Sequence, residues 1–219
     1  MSRIAFLHTG AVVIPTFTAL AAEYLPDTEV QHLLDDRIVA DLGRGAAPAD
    51  IAARLSALGR AAERAGASAL VFSCSSISAY ATPLAAELGL PVFRIDEAMA
   101  DEAVRGADKV SVVATLQTTL GPTAALLRER AELHGREVEL TEVVVEGAFE
   151  AVAGGDRERH DTLVAAAVER QAATADVIVL AQASMATAAQ RSAVAVPVLS
   201  SPELGMRRIG QSFGREGAR

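Results

Sequence analysis

Cysteine and tryptophan are scarce in this sequence, since one of its 219 residues is cysteine, Cys74, and none is tryptophan. A single thiol cannot form an internal disulfide, and the four histidines do not combine with it at the spacing of a zinc site. The sequence therefore predicts a reducing, cytoplasmic location and no bound metal.

Clustered positive charge and long apolar segments are also missing. The formal net charge is −8, whereas nucleic acids and anionic membrane surfaces both attract clusters of Lys and Arg. Residues 1–7 lack the basic start of a signal peptide, and no apolar run approaches the roughly 18 residues of a membrane span. We expect neither nucleic acid nor a membrane as a partner, and a chain that is not processed.

The phosphate-binding motifs Gly-x-Gly-x-x-Gly and Gly-Lys-Ser/Thr are absent, which excludes the usual dinucleotide and P-loop sites. An anionic substrate would therefore have to be held by helix N-termini and hydroxyl groups.

What the sequence does contain, in 51% hydrophobic residues, is an alternation of apolar strands and segments with helical periodicity. Predicted strands cover residues 3–7, 28–34, 70–72, 91–95, 109–114, 137–145, 175–180 and 196–199. Predicted helices cover residues 15–24, 48–65, 76–88, 96–106, 122–134 and 156–174, with a short helix and a frayed tail after residue 200. The predicted fold class is α/β, with mostly parallel sheets flanked by helices.

The second half of the chain repeats the first. Five pairs of segments match in the same order and with a nearly constant offset in residue number: 3–9 with 109–115, 15–16 with 122–123, 29–30 with 137–138, 67–77 with 175–185, and 91–92 with 197–198. The alternative is that all strand–helix units look alike. We expect two pseudo-symmetric lobes, residues 1–96 with 200–219 and residues 97–199, with an active-site cleft between them.

Cys74 lies where the buried strand of residues 70–72 gives way to a hydroxyl-rich turn, and parallel sheets bind ligands at this carboxyl edge. A thiol with a pKa of about 8.5 is only a few per cent ionised at neutral pH. The N-terminus of the following helix and His8, from the neighbouring turn, are candidate sources of activation. The alternative is that Cys74 is a small buried hydrophobic residue.

Polar turns follow other strands as well. Thr115, Thr118 and Thr119 form a predicted turn before Pro122 whose N–H and O–H groups suit a carboxylate, although turns are often hydroxyl-rich without a ligand. His8 is either a partner of the thiol or a side chain bonded to backbone. The other three histidines are interpreted as surface or structural residues.

In the second half of the repeat, Gln182 stands at the position that corresponds to Cys74. Its amide and the hydroxyl of Ser184 are expected to orient a substrate carbonyl or carboxylate. The alternative is that Ser184 only caps the helix that follows.

Three segments resemble motifs of the aspartate/glutamate/hydantoin racemase superfamily, which includes maleate isomerases and arylmalonate decarboxylases. Cys74-Ser75-Ser76 resembles its first Cys-Asn-Thr motif. Residues 114–119 are similar to its threonine-rich, carboxylate-binding turn, and residues 7–10 stand where glutamate racemases have Asp-Ser-Gly. The resemblance covers nearly the whole chain.

The resemblance implies two α/β lobes, no cofactor, proton transfer next to the carboxylate of a small acid or amino-acid-like substrate, and a possible homodimer. One motif differs, because the family's racemases have Leu-Gly-Cys-Thr-His where residues 180–184 of this chain read Leu-Ala-Gln-Ala-Ser. A carboxamide cannot exchange a proton at neutral pH as a thiol does. Isomerisation or decarboxylation with one protonation event is therefore expected more readily than two-base racemisation.

The predicted catalytic residues are Cys74, as acid or base, and His8, which tunes the thiol. The predicted substrate-binding residues are Thr9, Gly10, Ser75, Ser76, Thr115, Thr118, Thr119, Gln182, Ala183 and Ser184. Two alternatives stay open: a non-catalytic small-molecule-binding homologue that has lost the second cysteine, and Cys74 as a covalent nucleophile.

Overall fold

The computed structural model describes residues 2–189 and 191–216. Every predicted strand is present, with ends within two residues of the prediction. The strands are β1 (Ser2–His8), β2 (Thr28–Leu34), β3 (Ala69–Phe72), β4 (Val92–Arg94), β5 (Lys109–Ala114), β6 (Glu139–Val144), β7 (Val177–Leu180) and β8 (Val198–Ser200).

These strands form two four-stranded sheets. The strand orders are β2-β1-β3-β4 and β6-β5-β7-β8, and every neighbouring pair is parallel. The α/β prediction is confirmed, because helices connect the parallel strands as crossovers require.

The helices are α1 (Ile14–Tyr24), α2 (Ile38–Gly43), α3 (Pro48–Arg64), α4 (Ala81–Leu88), α5 (Glu97–Gly106), α6 (Gln117–Leu133), α7 (Ala148–Ala153), α8 (Arg157–Gln171), α9 (Ala186–Ala189) and α10 (Ser201–Glu216). Short 3-10 helices occupy Ala11–Val13, Ser75–Tyr80 and Ala183–Met185. Within the described part of the chain, none of the helices combines the length and the apolar character of a membrane crossing.

Several predicted helices differ from the observed ones. Residues 38–43 and 148–153 form α2 and α7, which the sequence analysis left without structure. The predicted short helix and frayed tail are a 16-residue helix, α10, up to residue 216, and residues 217–219 lie outside the described part of the chain. Helix α5 follows Asp96, its N-cap residue, whose side chain makes no cap hydrogen bond.

The chain divides into two compact units, Met1–Ile95 with Pro202–Arg219 (unit 1) and Asp96–Ser201 (unit 2). Each unit contains one sheet. The predicted lobe boundaries fall within two residues of these divisions. That the units act as separate lobes around a cleft stays a prediction.

The two sheets share one hydrogen-bonding register. Ile4 pairs with Ala69 in unit 1, and their counterparts in the repeat, Val110 and Val177, pair with each other in unit 2. One matched segment was misplaced by two residues, because the counterpart of Glu29 is Glu139 rather than Glu137. The internal repeat is therefore structural, and its units are not merely similar strand–helix patterns.

One part of the core of unit 1 lies between the sheet and helix α3. Ile51, Leu55 and Ala62 fall on one side of α3 at helical spacing and are at most 1% exposed. They pack against Leu70 and other residues of β1 and β3. Burial of this apolar face stabilises the helix far more than its intrinsic propensity does.

We expect Gly205→Ala to destabilise the protein by roughly 1–3 kcal/mol. A Cβ at Gly205 in α10 would lie 2.6 Å from Cδ1 of Ile95 and would also meet its carbonyl oxygen. Gly121→Ala, in α6, is the matched control, because nothing lies within 4 Å of its Cβ position. Urea denaturation should show the control at or above wild-type stability, and equal stability of the two variants would contradict the packing of α10.

Candidate active site

Each sheet contains one switch point, where the order of the strands reverses relative to the chain. The chain moves from β1 to β2 on one side and then to β3 on the other, and β5, β6 and β7 repeat this arrangement. Open parallel sheets bind ligands at such points. His8 and Cys74 leave the sheet of unit 1 at its switch point, and Thr115 and Gln182 do so in unit 2.

Cys74 is the N-cap residue of the 3-10 helix Ser75–Tyr80, with an extended backbone of φ −133° and ψ 125°. The N–H of Ile77 donates to the carbonyl of Cys74 at 3.2 Å and closes the turn. The side chain is half-buried and packs on the side of the sheet that α3 and α4 cover. The predicted helix therefore begins as a 3-10 segment at residue 75 and becomes α-helical only at residue 81.

The other predicted residues of unit 1 lie in the same two turns. Ser75 and Ser76 are buried, and Thr9 is 9% exposed. Gly10 is the N-cap residue of the 3-10 helix Ala11–Val13, and a Cβ there would meet nothing within 4 Å. The structure thus places all four beside His8 or Cys74 along the chain, while their role in binding stays a prediction.

His8 makes hydrogen bonds through both ring nitrogens. Nδ1 lies 2.7 Å from Oγ of Ser73, and Nε2 lies 2.8 Å from Nδ1 of His32. The ring also lies against Phe6 and Phe17, on the α1 side of the sheet. These contacts link His8 to Ser73, the residue before Cys74. The pairing of the His8 imidazole with the Cys74 thiol stays a prediction.

Burial, and to a smaller extent the proximity of His32, lower the pKa of His8 to about 4. The pKa of His32 is also lowered by burial. His8 is therefore a neutral imidazole at pH 7 and does not supply the positive charge that stabilises a thiolate in Cys/His pairs.

Gln182 is held by Thr115 at the switch point of unit 2. The amide oxygen of Gln182 accepts from the backbone N–H of Thr115 at 2.6 Å, and Nε2 donates to its hydroxyl oxygen at 2.7 Å. The donors of Thr115 were predicted to bind a substrate carboxylate. In this structure they bind the carboxamide of Gln182.

Thr118 and Thr119 lie in the first turn of helix α6, not in a loop. The helix begins at Gln117 and contains Pro122 in its interior, which corrects the predicted turn over residues 115–121. Proline lacks an N–H, so the carbonyl of Thr118 receives no helical bond from residue 122. The Thr118 hydroxyl is buried without a hydrogen bond to the rest of the described chain.

Ala183 and Ser184 lie within the 3-10 helix Ala183–Met185, whose N-cap residue is Gln182. Ser184 therefore does not cap the helix. Its carbonyl accepts a bond of 2.7 Å from Nη1 of Arg157, in the first turn of α8.

Ser73 and His32 were not among the predicted site residues. Ser73 had a visible signal, because it opens the hydroxyl-rich run around Cys74. His32 had none, since its proximity to His8 depends on the pairing of Phe6 with His32 between β1 and β2. Among residues 2–189 and 191–216, no group of three or more His, Cys, Asp or Glu side chains is arranged to hold a metal ion.

A model of the Asp/Glu/Hydantoin racemase family matches residues 7–209. The chain therefore belongs to the Asp/Glu/hydantoin racemase family, in agreement with its two sheets of equal topology. A search of curated proteins found no match.

Solved structures of several racemases have a similar fold. Glutamate racemase from Francisella tularensis is 16% identical with a TM-score of 0.75, and the match covers 99% of this chain and 82% of that one. Allantoin racemase from Klebsiella pneumoniae is 22% identical with a TM-score of 0.66, covering 99% and 89%. An arylmalonate decarboxylase is 18% identical with a TM-score of 0.57, covering 95% and 92%.

We expect the free energy of unfolding to fall as the pH is lowered from 6.5 to 4. An unfolded histidine binds a proton below about pH 6.5, whereas His8 in the folded protein does so only near pH 4, so protonation favours the unfolded chain. The loss attributable to His8 is at most about 3 kcal/mol. Urea denaturation across this range should show a smaller slope in His8→Phe, and a wild-type free energy that stays constant would contradict the assignment.

Proposed function

We propose that this protein is a cofactor-independent enzyme that transfers a proton at the carbon next to the carboxylate of a small acid or amino-acid-like substrate, with Cys74 as acid or base. One observation carries the proposal. Cys74 and Gln182 occupy the same position in two sheets of equal register, with φ/ψ values of −133°/125° and −126°/137°. A family scaffold therefore carries a thiol at one switch point and an amide at the other.

The difference between these two side chains decides the class of reaction. A thiol and its thiolate can donate and accept a proton at neutral pH, while a carboxamide does neither. One protonation event therefore matches the site better than two-base racemisation, which needs a proton-transfer group on each face of a planar carbanion. Isomerisation and decarboxylation both meet this requirement.

Thr9 is the proposed source of thiolate stabilisation, since a neutral His8 cannot provide it. Thr9 is the counterpart of Thr115 in the repeat, and Thr115 directs its N–H and hydroxyl to Gln182. By analogy with this pair, we propose that the N–H and hydroxyl of Thr9 donate to Cys74. Donors of this kind favour the ionised thiol and lower its pKa.

Thr115 and Gln182 are the proposed carboxylate-binding pair. The amide oxygen of Gln182 already occupies the acceptor position beside the Thr115 N–H, at 2.6 Å. A carboxylate oxygen is a stronger acceptor than an amide oxygen, so it can replace the amide there. The released amide of Gln182 then donates to the bound substrate.

Deuterium exchange is the direct test of proton transfer. Small carboxylic acids that raise the melting temperature would be incubated with the protein in heavy water, and deuterium incorporation next to the carboxylate would be followed by NMR. Cys74→Ala should reduce exchange at least about 100-fold. Gln182→Ala, the matched control, keeps the thiol and should mainly weaken substrate binding.

Two outcomes would contradict this assignment. Equal exchange by wild type and Cys74→Ala would exclude the thiol as acid or base. Stabilisation by a ligand without exchange in either protein would favour the non-catalytic binding alternative.

We further expect Cys74 to react with iodoacetamide at pH 7 faster than a free thiol, with an apparent pKa below the usual value of about 8.5. The rate would be followed by mass spectrometry from pH 5 to pH 10. Thr9→Val should raise this pKa, whereas Thr115→Val, its counterpart in unit 2, should not. A wild-type rate no higher than that of a free thiol would contradict thiolate stabilisation.

A further inference from the structure

A continuous line of polar side chains crosses the sheet of unit 1 and ends at Ser73, the residue before Cys74. Thr18 of α1 lies 3.1 Å from Nε2 of His32 in β2, whose Nδ1 lies 2.8 Å from Nε2 of His8 in β1. Nδ1 of His8 lies 2.7 Å from the hydroxyl of Ser73. Ser73 directly precedes Cys74 and also donates its backbone N–H to the carbonyl of Leu7 at 3.2 Å.

Unit 2 shows that the fold does not require these polar groups. Ala114 and Ala181 stand in the positions of His8 and Ser73, because Val145 and Val113 repeat the backbone hydrogen bonds of Asp35 and Leu7. Both alanines are at most 1% exposed. Two small apolar side chains thus fill the same place in an equivalent sheet, so the polar line of unit 1 has a role other than closing the core.

The number of available hydrogens determines which group donates in each hydrogen bond of this line. The hydroxyls of Thr18 and Ser73 also contact the carbonyls of Ile14 and Leu7, at 2.9 and 3.1 Å. The line therefore contains five contacts, and each needs one hydrogen. Two hydroxyls and two neutral imidazoles supply only four.

The contact that lacks a hydrogen is the one at the exposed end of the line, between Thr18 and the carbonyl of Ile14. Ser73 is 4% exposed, whereas Thr18 lies at the surface, where water can replace a lost contact to the Ile14 carbonyl. Thr18 then donates to Nε2 of His32, and Nδ1–H of His32 donates to Nε2 of His8. His8 carries its hydrogen on Nδ1 and donates it to Ser73.

We propose that His32 and Thr18 are positioning residues, which fix His8 in the tautomer with hydrogen on Nδ1 and thereby hold Ser73 and the turn of Cys74 in place. The importance of this arrangement for turnover rests on the proposed function. The tautomer of His8 and the reactivity of Cys74 do not rest on the proposed function, and these two quantities are measured.

The first measurement uses the wild-type protein. Nitrogen-15 NMR of the imidazole rings at pH 7 should show His8 and His32 protonated on Nδ1 and unprotonated on Nε2. A His8 ring that carries its hydrogen on Nε2 would overturn the proposal.

The second measurement compares two variants of His32. The amide N–H of Asn reaches the position of the histidine Nδ1–H, so His32→Asn should keep the His8 tautomer and an alkylation rate at pH 7 within about twofold of wild type. His32→Leu removes the donor, should mix the tautomers, and should slow alkylation of Cys74 by about three- to tenfold, the size of one lost hydrogen bond.

A purely structural role for His32 would lower the melting temperature of both variants and leave the tautomer and the pH profile of alkylation unchanged, which would overturn the proposal. If the wild-type protein exchanges no substrate proton, the proposed function fails. The NMR and alkylation results still decide the role of His32 in that case.

Discussion

The pairing of Leu7 with Phe72 in the centre of the first sheet is the constraint on which the candidate site depends. Because of this pairing, the residues that follow Leu7 and Phe72, His8 and Ser73, lie side by side. The side chain of Cys74, one residue further along, lies on the opposite side of the sheet. A slip of one residue would exchange the sides of every following side chain. The buried apolar runs of both strands prevent such a slip, so the hydrophobic core determines the chemistry at the edge.

The second sheet repeats this constraint with different side chains. Val113 pairs with Leu180 in the same register, and the residues that follow are alanines where the first sheet has histidine and serine. The same contrast extends to the charged groups. Arg54 binds Asp35 and Asp41 in unit 1, and the residues in the positions of these two carboxylates, Val145 and Ala151, are buried and apolar. At these positions, unit 1 carries polar side chains where unit 2 carries apolar ones.

Most of the fold was predictable from the sequence because buried parallel strands are continuous apolar runs. The strand ends were predicted to within two residues, and the counterpart of Cys74 was identified as Gln182. The six-residue helices α2 and α7 escaped prediction, since one and a half turns carry little periodicity. Helix α10 looked like a frayed tail because it contains Gly205 and Gly210, and both are needed where the helix packs against backbone carbonyls.

The contacts within the candidate site were less predictable, because they join residues distant in sequence. Cys74 stood out through its type and its place after a strand. The partners of His8 depended on strand register, and the contact between Gln182 and Thr115 depended on two side-chain rotamers. Thr118 and Thr119 were assigned to a turn because Pro122 favours the start of a helix, whereas α6 tolerates it within the helix.

The repeat also records where this fold has changed in length. Leu7 of β1 corresponds to Val113 of β5, and Glu29 of β2 corresponds to Glu139 of β6, so the offset in residue number grows between the first and second strands. It shrinks again by the third strand, since Phe72 of β3 corresponds to Leu180 of β7. The connection that contains α6 is thus longer than the one that contains α1, and the next connection is shorter. Because all of these changes lie between strands, the crossovers are the parts of the chain that accept insertions and deletions while the sheet edges keep their register.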